Sequence, residues 1–450
     1  MMSKPTLAAL AADLTAGRTT SRALTQACLE RIEAPGGEGR KTFLHVDRDA
    51  VLAQAEAMDL LRSSGAAPSP YAGIPISIKD LFDIAGQVTR AGSTVLANRP
   101  AATQDAVCVA RLRAAGFVLI GRTNMSEFAF SGLGLNPHYG TPLNPWGRAE
   151  GRIPGGSSSG AAISVTDGMA HAGLGTDTGG SCRIPAAFTG LVGYKPTARR
   201  VPQAGATPLS TSLDSIGPLA RTVACCATVD AVLANESPPD LSHRSVTNLR
   251  FAVPTSFVFE GADQDVMAHF GRSLTRLSAA GARIEEIDIP ELATIPTINA
   301  KGGFSPAESY AWHRKLIESR AAEYDPRVLS RIQRGATQSA ADYIELVAAR
   351  RAFIAGVEQR IERFDALLMP TTPIIAARLA ALESDEEFFK VNGLALRNPS
   401  VINLLDGCAI SLPNHEDGEP PTGLMLACRG GLDAQLFRLA AAAEGVVRQG

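Results

Sequence analysis

The sequence predicts a layered α/β fold, and three observations carry that reading. Short apolar runs rich in β-branched residues, such as GIPISIKD from Gly73 and FVLIGRTN from Phe117, have the length of buried strands. Stretches of helical length alternate with them: residues 103–115 precede the second run, and 264–280 lie between FAVP at 251 and ARIEEIDIP at 282. Composition agrees, because 45% hydrophobic and 20% charged residues over 450 positions describe a chain with a sizeable core.

In chain order, residues 5–64 read as three helices: over 6–15, over 20–33 behind the cap-like Thr19-Thr20, and over 48–64 behind Asp47. APGGEGR, between the second and third, is a surface turn. The run from Gly73 is a buried strand ending in Lys79-Asp80, and Thr103 is the expected N-cap of the helix that Gly116 closes. From Met125 to Arg152, Gly, Pro and Asn predict a long ordered loop over the site. Ser158 to Asp167 can make a helix and HAGLGTD a short buried strand. TGLVGYKPT reads as a turn, and SLDSIGPLARTV as a lead into a helix over 222–234. The polar residues 237–248 read as a surface linker within one domain, and 305–363 as a charged helical periphery. ALLMPTTP at 366, CAISLP at 408 and GLMLAC at 423 read as further core strands before a last helix at 433–448.

Charge and composition narrow the function classes. A net charge of −2 gives none of the clustered basic excess that nucleic-acid binding needs, so no nucleic-acid partner is expected. No run of eighteen apolar residues occurs, and Asp13 and Arg18 interrupt the N-terminal apolar pieces, so the reading is a cytoplasmic protein without a membrane partner. The seven cysteines (28, 108, 182, 225, 226, 408 and 428) form no metal-ligand spacing and read as reduced, buried thiols. Basic charge is carried almost wholly by arginine, with only seven lysines in the chain.

The chemistry concentrates between Pro154 and Gly190, where two glycine-flanked serine sites, GGSSSG and DTGGSCR, lie on either side of an apolar segment. Glycine permits close backbone approach, so such clusters can aim amide N–H groups at a reacting atom. A phosphate loop is excluded, since no lysine follows either cluster, and a dinucleotide fingerprint is absent. Residues 156–160 match G-x-S-x-G with Ser158 as nucleophile, but a polar, Pro-containing segment precedes them where an apolar strand should, and neither His313 nor His415 has a context that marks it as the base. A third arrangement is a serine with a lysine base, which must be neutral and is made so by desolvation. Lys79, ending an apolar run, fits that role. It equally fits a lysine snorkelling from a strand end or paired with Asp80.

GIPISIKD, GRTNMSEFAF, NPHYGTPLNPW, PGGSSSG, LGTDTGGSCRIPAAFTGLVGYKPT and SLDSIGPLAR together resemble the amidase signature family. The resemblance is dense from about Ala72 to Thr222 and looser at DALLMPTTP and NPSVINLLDGCAISLP. It implies a single domain over 1–450 with a central mixed twisted sheet flanked by helices. It also implies a Ser-cisSer-Lys triad in which Ser181 is acylated, Ser157 follows a cis peptide and relays protons, and Lys79 is the base. The backbone N–H groups of Thr178, Gly179, Gly180 and Ser181 would form the oxyanion hole, with Ser158 supporting the relay. Asp177 and Arg183 flank that loop and are read as a pair that fixes its shape, and Cys182 as packing. The implied activity is hydrolysis of a small-molecule linear amide through an acyl-enzyme, with no metal or organic cofactor; the oligomeric state is not readable from the sequence, a homodimer being one possible assembly. The alternative is the glutaminase component of a tRNA-dependent amidotransferase complex, against which stand the somewhat short chain, its loosely matching C-terminal third and the missing basic face. Pocket walls are expected from the 125–142 loop, the segment near 300–320 and PTTP at 370, with Phe128, Phe130, Tyr310 and Trp312 available there.

Overall fold

The computed structural model of the protein describes residues 5–243 and 245–448. Among these, eleven strands build one sheet. They are β1 (Phe43–His45), β2 (Pro75–Lys79), β3 (Val118–Thr123), β4 (Ala172–Asp177), β5 (Val192–Lys195), β6 (Ser215–Ala220), β7 (Arg250–Pro254), β8 (Arg283–Ile287), β9 (Ala366–Pro370), β10 (Cys408–Pro413) and β11 (Gly423–Cys428). Their spatial order is β1-β3-β2-β4-β6-β5-β10-β11-β9-β7-β8. The sheet is mixed: β3, β2 and β4 run parallel on one flank and β9, β7 and β8 on the other, with antiparallel pairs between them. Helices cover it, which is why β2, β4, β10 and β11 are buried at every position and show no polar alternation.

The helices Leu7–Thr15, Ser21–Glu33 and Arg48–Ser63 form where expected, because Thr6, Thr20 and Asp47 each accept a backbone N–H three residues on. Elsewhere the structure differs. The helix expected from Thr103 starts at Val107 without a side-chain cap, and the neighbouring Asp105 instead receives the Ala85 amide and pairs with Arg113. TGLVGYKPT contains β5, and SLDSIGPLARTV contains β6, which joins β4 to β5. The 305–363 region is the three helices Phe304–Arg320, Pro326–Gln333 and Ala340–Ile361, and it reaches inward as well as outward. A helix not expected at all runs from Asp385 to Leu404. The described residues of 237–248 form neither helix nor strand. No helix among the described residues is long and apolar enough to cross a membrane, and all seven cysteines are buried and free.

Two adjacent parallel strands position the site. β2 ends on Lys79 and β4 on Asp177, so both carboxyl ends open on the same edge, the usual place for ligands in α/β sheets.

Candidate active site

Lys79 is fully buried, and its amine meets three hydroxyls: Ser157 Oγ at 2.8 Å, Ser158 Oγ at 3.0 Å and Thr176 Oγ1 at 2.8 Å. It makes no ion pair with Asp80, whose carboxylate accepts from Arg122 Nε at 2.7 Å and from the Gly92 amide. Burial pulls the Lys79 amine down to about 7, against the opposing influence of Cys182, Asp214 and Asp177. Burial thus shifts the amine toward the neutral form that a base requires.

The Gly156–Ser157 peptide bond is cis. Ser158 sits at the cap position of the helix Ser159–Thr166 but makes no side-chain cap. Its hydroxyl instead donates to the Thr176 carbonyl at 3.3 Å and accepts from Lys79, so a local helix-stabilising bond gives way to a contact with the amine. Gly175 makes room for it, because a Cβ there would come within 2.7 Å of Ser158 Oγ. The two glycine loops are joined directly: the Ser158 amide donates to the Ser181 carbonyl at 3.3 Å.

Asp177 and Arg183 form a fully buried pair rather than a surface one, with Nη2 to Oδ1 at 2.8 Å and Nε to Oδ2 at 3.0 Å. Burial alone would raise the Asp177 carboxyl, but the Arg183 guanidinium holds it well below the usual carboxylate range. Asp177 also receives the amides of Gly180 at 2.9 Å and Cys182 at 3.1 Å, which folds the loop around Ser181. The Gly180 N–H thus serves the loop's own shape.

Ser181 borders a cavity of about 220 Å³ together with Thr178 and Gly179. The 125–142 loop contributes Ala129, Phe130 and Ser131 to its wall, and the segment near 300 contributes Phe304, Ser305 and Pro306. PTTP does not line it, since Thr371 pairs with Ser411 and Thr372 bonds the Ile374 carbonyl. Phe128 and Trp312 also lie outside the lining, packed with His313 and Tyr324 in an aromatic cluster, and Tyr310 is absent from it too. Unexpected contributors are Arg331 and Arg334, and Leu396, Ser400 and Asn403 from the helix Asp385–Leu404. Beside this cavity a smaller one of about 160 Å³ is bordered by Thr176 and Asp214. Burial raises the Asp214 carboxyl to about 6 while the Thr178 hydroxyl and the Leu209 and Ser210 amides donate to it. No histidine lines either cavity; His313 bonds Tyr324 Oη at 2.9 Å, and His415 packs against Gly190.

Comparison with known proteins identifies the family. An amidase family profile matches residues 23–437. The chain is 36% identical to a 2-amino-5-chloromuconic acid deaminase of Comamonas testosteroni, covering 99% of this chain and 96% of that one. It is 32% identical to the A component of the glutamyl-tRNA(Gln) amidotransferase of Streptomyces coelicolor, covering 98% of this chain and 95% of that one. A crystal structure of an amidase superposes with a TM-score of 0.89 at 32% identity over 98% of this chain and all of that chain. With the signature stretches from Gly73 to Arg221 folded around the buried Lys79 and two serine loops, the chain belongs to the amidase family, the amidase-signature hydrolases.

Proposed function

We propose that this hydrolase cleaves a linear carboxamide through an acyl-enzyme on Ser181. The observation that carries the reading is the amine of Lys79, buried, surrounded by three hydroxyls and without a carboxylate partner, with its pKa pulled down by that burial to about 7. Ser181 Oγ attacks the amide carbon while its proton passes to the Ser157 hydroxyl, whose own proton passes to the Lys79 amine. The relay then runs in reverse: the C–N bond breaks as the leaving nitrogen takes a proton, and the acyl group stays on Ser181 as an ester. Water attacks that ester through the same relay and releases the carboxylate. The N–H groups of Thr178, Gly179 and Ser181 receive the oxyanion, and loss of one such donor costs on the order of 100-fold in rate. Gly180 stays with Asp177 and supports them.

A fluorophosphonate should label Ser181, and Ser181→Ala should abolish both label and turnover. Peptide mapping that finds the label on Ser158 would replace this reading with the G-x-S-x-G one. The 32% identity to an amidotransferase component favours a second reading, a glutaminase that works inside a complex. Turnover of simple amides by the purified chain alone separates the two, because that reading needs partner proteins for activity.

A further inference from the structure

The cavity at Ser181 carries a charge pattern that amide hydrolysis by itself does not require. Two arginines, Arg331 and Arg334, line it, and no aspartate or glutamate does. Arg331 is held in place: Nη1 donates to the Phe130 carbonyl, and the guanidinium carbon lies 4.3 Å from the centre of the Phe130 ring. Its other N–H groups meet no acceptor among the described residues, and neither arginine has a carboxylate in ion-pair range there. Arg331 is half-buried and Arg334 exposed, whereas the fully buried arginines are treated differently, Arg122 being paired with Asp80 and Arg183 with Asp177.

The acids of the surrounding elements are committed elsewhere. Asp177 faces Arg183, Asp214 accepts from Thr178 and two amides, and Glu308 accepts from Ser210, Ser212 and Tyr343. Burial, with Arg334 nearby, brings the Arg331 guanidinium down to about 10, which still leaves it cationic at neutral pH. A cation held in a partly desolvated wall without a counter-charge is costly unless a ligand supplies one.

We propose that the substrate is the monoamide of a short dicarboxylic acid, its free carboxylate held by Arg331 with Arg334 beside it, and that it bears no ammonium group in this cavity. The planar guanidinium fork suits a carboxylate, and the face stacked on Phe130 keeps the fork oriented. An ammonium would meet two like charges and no acid. The volume of about 220 Å³ is below the range of about 300–1,000 Å³ common for drug-sized ligands, which points to a short acyl chain. This inference rests on the acyl-enzyme reading for its orientation toward Ser181.

The test compares succinamic and glutaramic acids with butyramide, valeramide and L-glutamine on the full chain. The acid monoamides should exceed the neutral amides in kcat/KM by roughly 10- to 100-fold, the worth of a hydrogen-bonded charge pair. Arg331→Gln should collapse that preference mainly through KM, Arg334→Gln should reduce it less, and Arg331→Lys should restore part of it. Equal rates on neutral and acidic amides, or glutamine as the best substrate, overturn the proposal while leaving the hydrolase reading intact. Binding supplies a readout independent of turnover: succinamic acid titrated calorimetrically into Ser181→Ala protein should bind at least about tenfold more weakly when Arg331→Gln is added. Equal binding in both proteins, or none at millimolar ligand, overturns the inference. Arg331-dependent binding with no hydrolysis of any amide by the wild-type chain would uphold the carboxylate site at Arg331 and defeat the acyl-enzyme reading instead, whereas hydrolysis of the neutral amides alone would overturn the assignment of the monoamide as substrate.

Discussion

Lys79 and Asp80 are consecutive in the chain and opposite in their surroundings. The Asp80 carboxylate turns to Arg122, whereas the Lys79 amine turns to three hydroxyls, and only the first has its charge compensated. The lysine answers burial by losing its proton near pH 7. Because the neutral form is the base, kcat/KM should rise with pH through an inflection near about 7 and level off above it, with activity lost on the acid side where the amine is charged. Lys79→Ala should lower kcat/KM by about 10²- to 10⁴-fold and remove that limb, as a pH–rate profile would show. A variant profile with the acid limb still at about 7 would assign that limb to another group. Lys79, Ser157 and Ser181 came to notice through motifs that resemble the amidase signature, since residue chemistry alone left Lys79 open to a snorkelling or ion-paired role, and in the structure the Lys79 amine meets the Ser157 hydroxyl. Arg331 was not legible. RVLSRIQRG looks like the solvated face of any amphipathic helix, and what distinguishes its arginine is a contact with Phe130, 201 residues earlier.

At the scale of elements, the helix Asp385–Leu404 presses on the loop that carries Ser181. It was hidden in the sequence by Pro399 inside it and by Gly393, both poor helix formers, and tertiary packing overrides that propensity: Asn398 bonds the Val258 and Pro370 carbonyls, and Asn403 bonds Asp177. β5 and β6 were obscured for a similar reason, since glycine and proline within VGYK and SIGPLA read as turn residues until β10 and β4 pair with them. Gly180 is where the helix and the loop meet. Its φ is +124°, and a Cβ there would come within 2.6 Å of Pro399 Cβ, an atom fixed in a ring. Gly180→Ala should therefore cost about 1–3 kcal/mol from the backbone conformation alone and should lower turnover by displacing the loop. Gly393→Ala in the same helix faces open space and should be neutral or stabilise by up to about 1 kcal/mol. Urea midpoints of the two variants check both, and equal midpoints would separate the helix from any role in shaping the loop.

Over the whole molecule, the Arg183 guanidinium joins distant parts of the chain at the centre of the sheet. It contacts Asp177 at the end of β4, the Pro399 carbonyl and Asn403 in the helix Asp385–Leu404, and Met425 in β11. The sequence placed this pair beside the reactive loop, but burial at 0% exposure could not be read there, because the partners that enclose it lie more than 200 residues away. Two desolvated charges stabilise little as a pair, yet removing one leaves the other uncompensated. Arg183→Met should destabilise the protein by about 3–5 kcal/mol, since Asp177 would be left buried without its cation. Adding Asp177→Asn should recover part of that loss, because the carboxylate that lost its guanidinium is then neutral; the double variant should nevertheless stay inactive, as a neutral amide holds the Gly180 and Cys182 N–H groups less firmly than a carboxylate does. Urea unfolding of the single and double variants measures this coupling. An Arg183→Met protein with the wild-type midpoint would show that the ion pair shapes the loop without holding the two flanks of the sheet together.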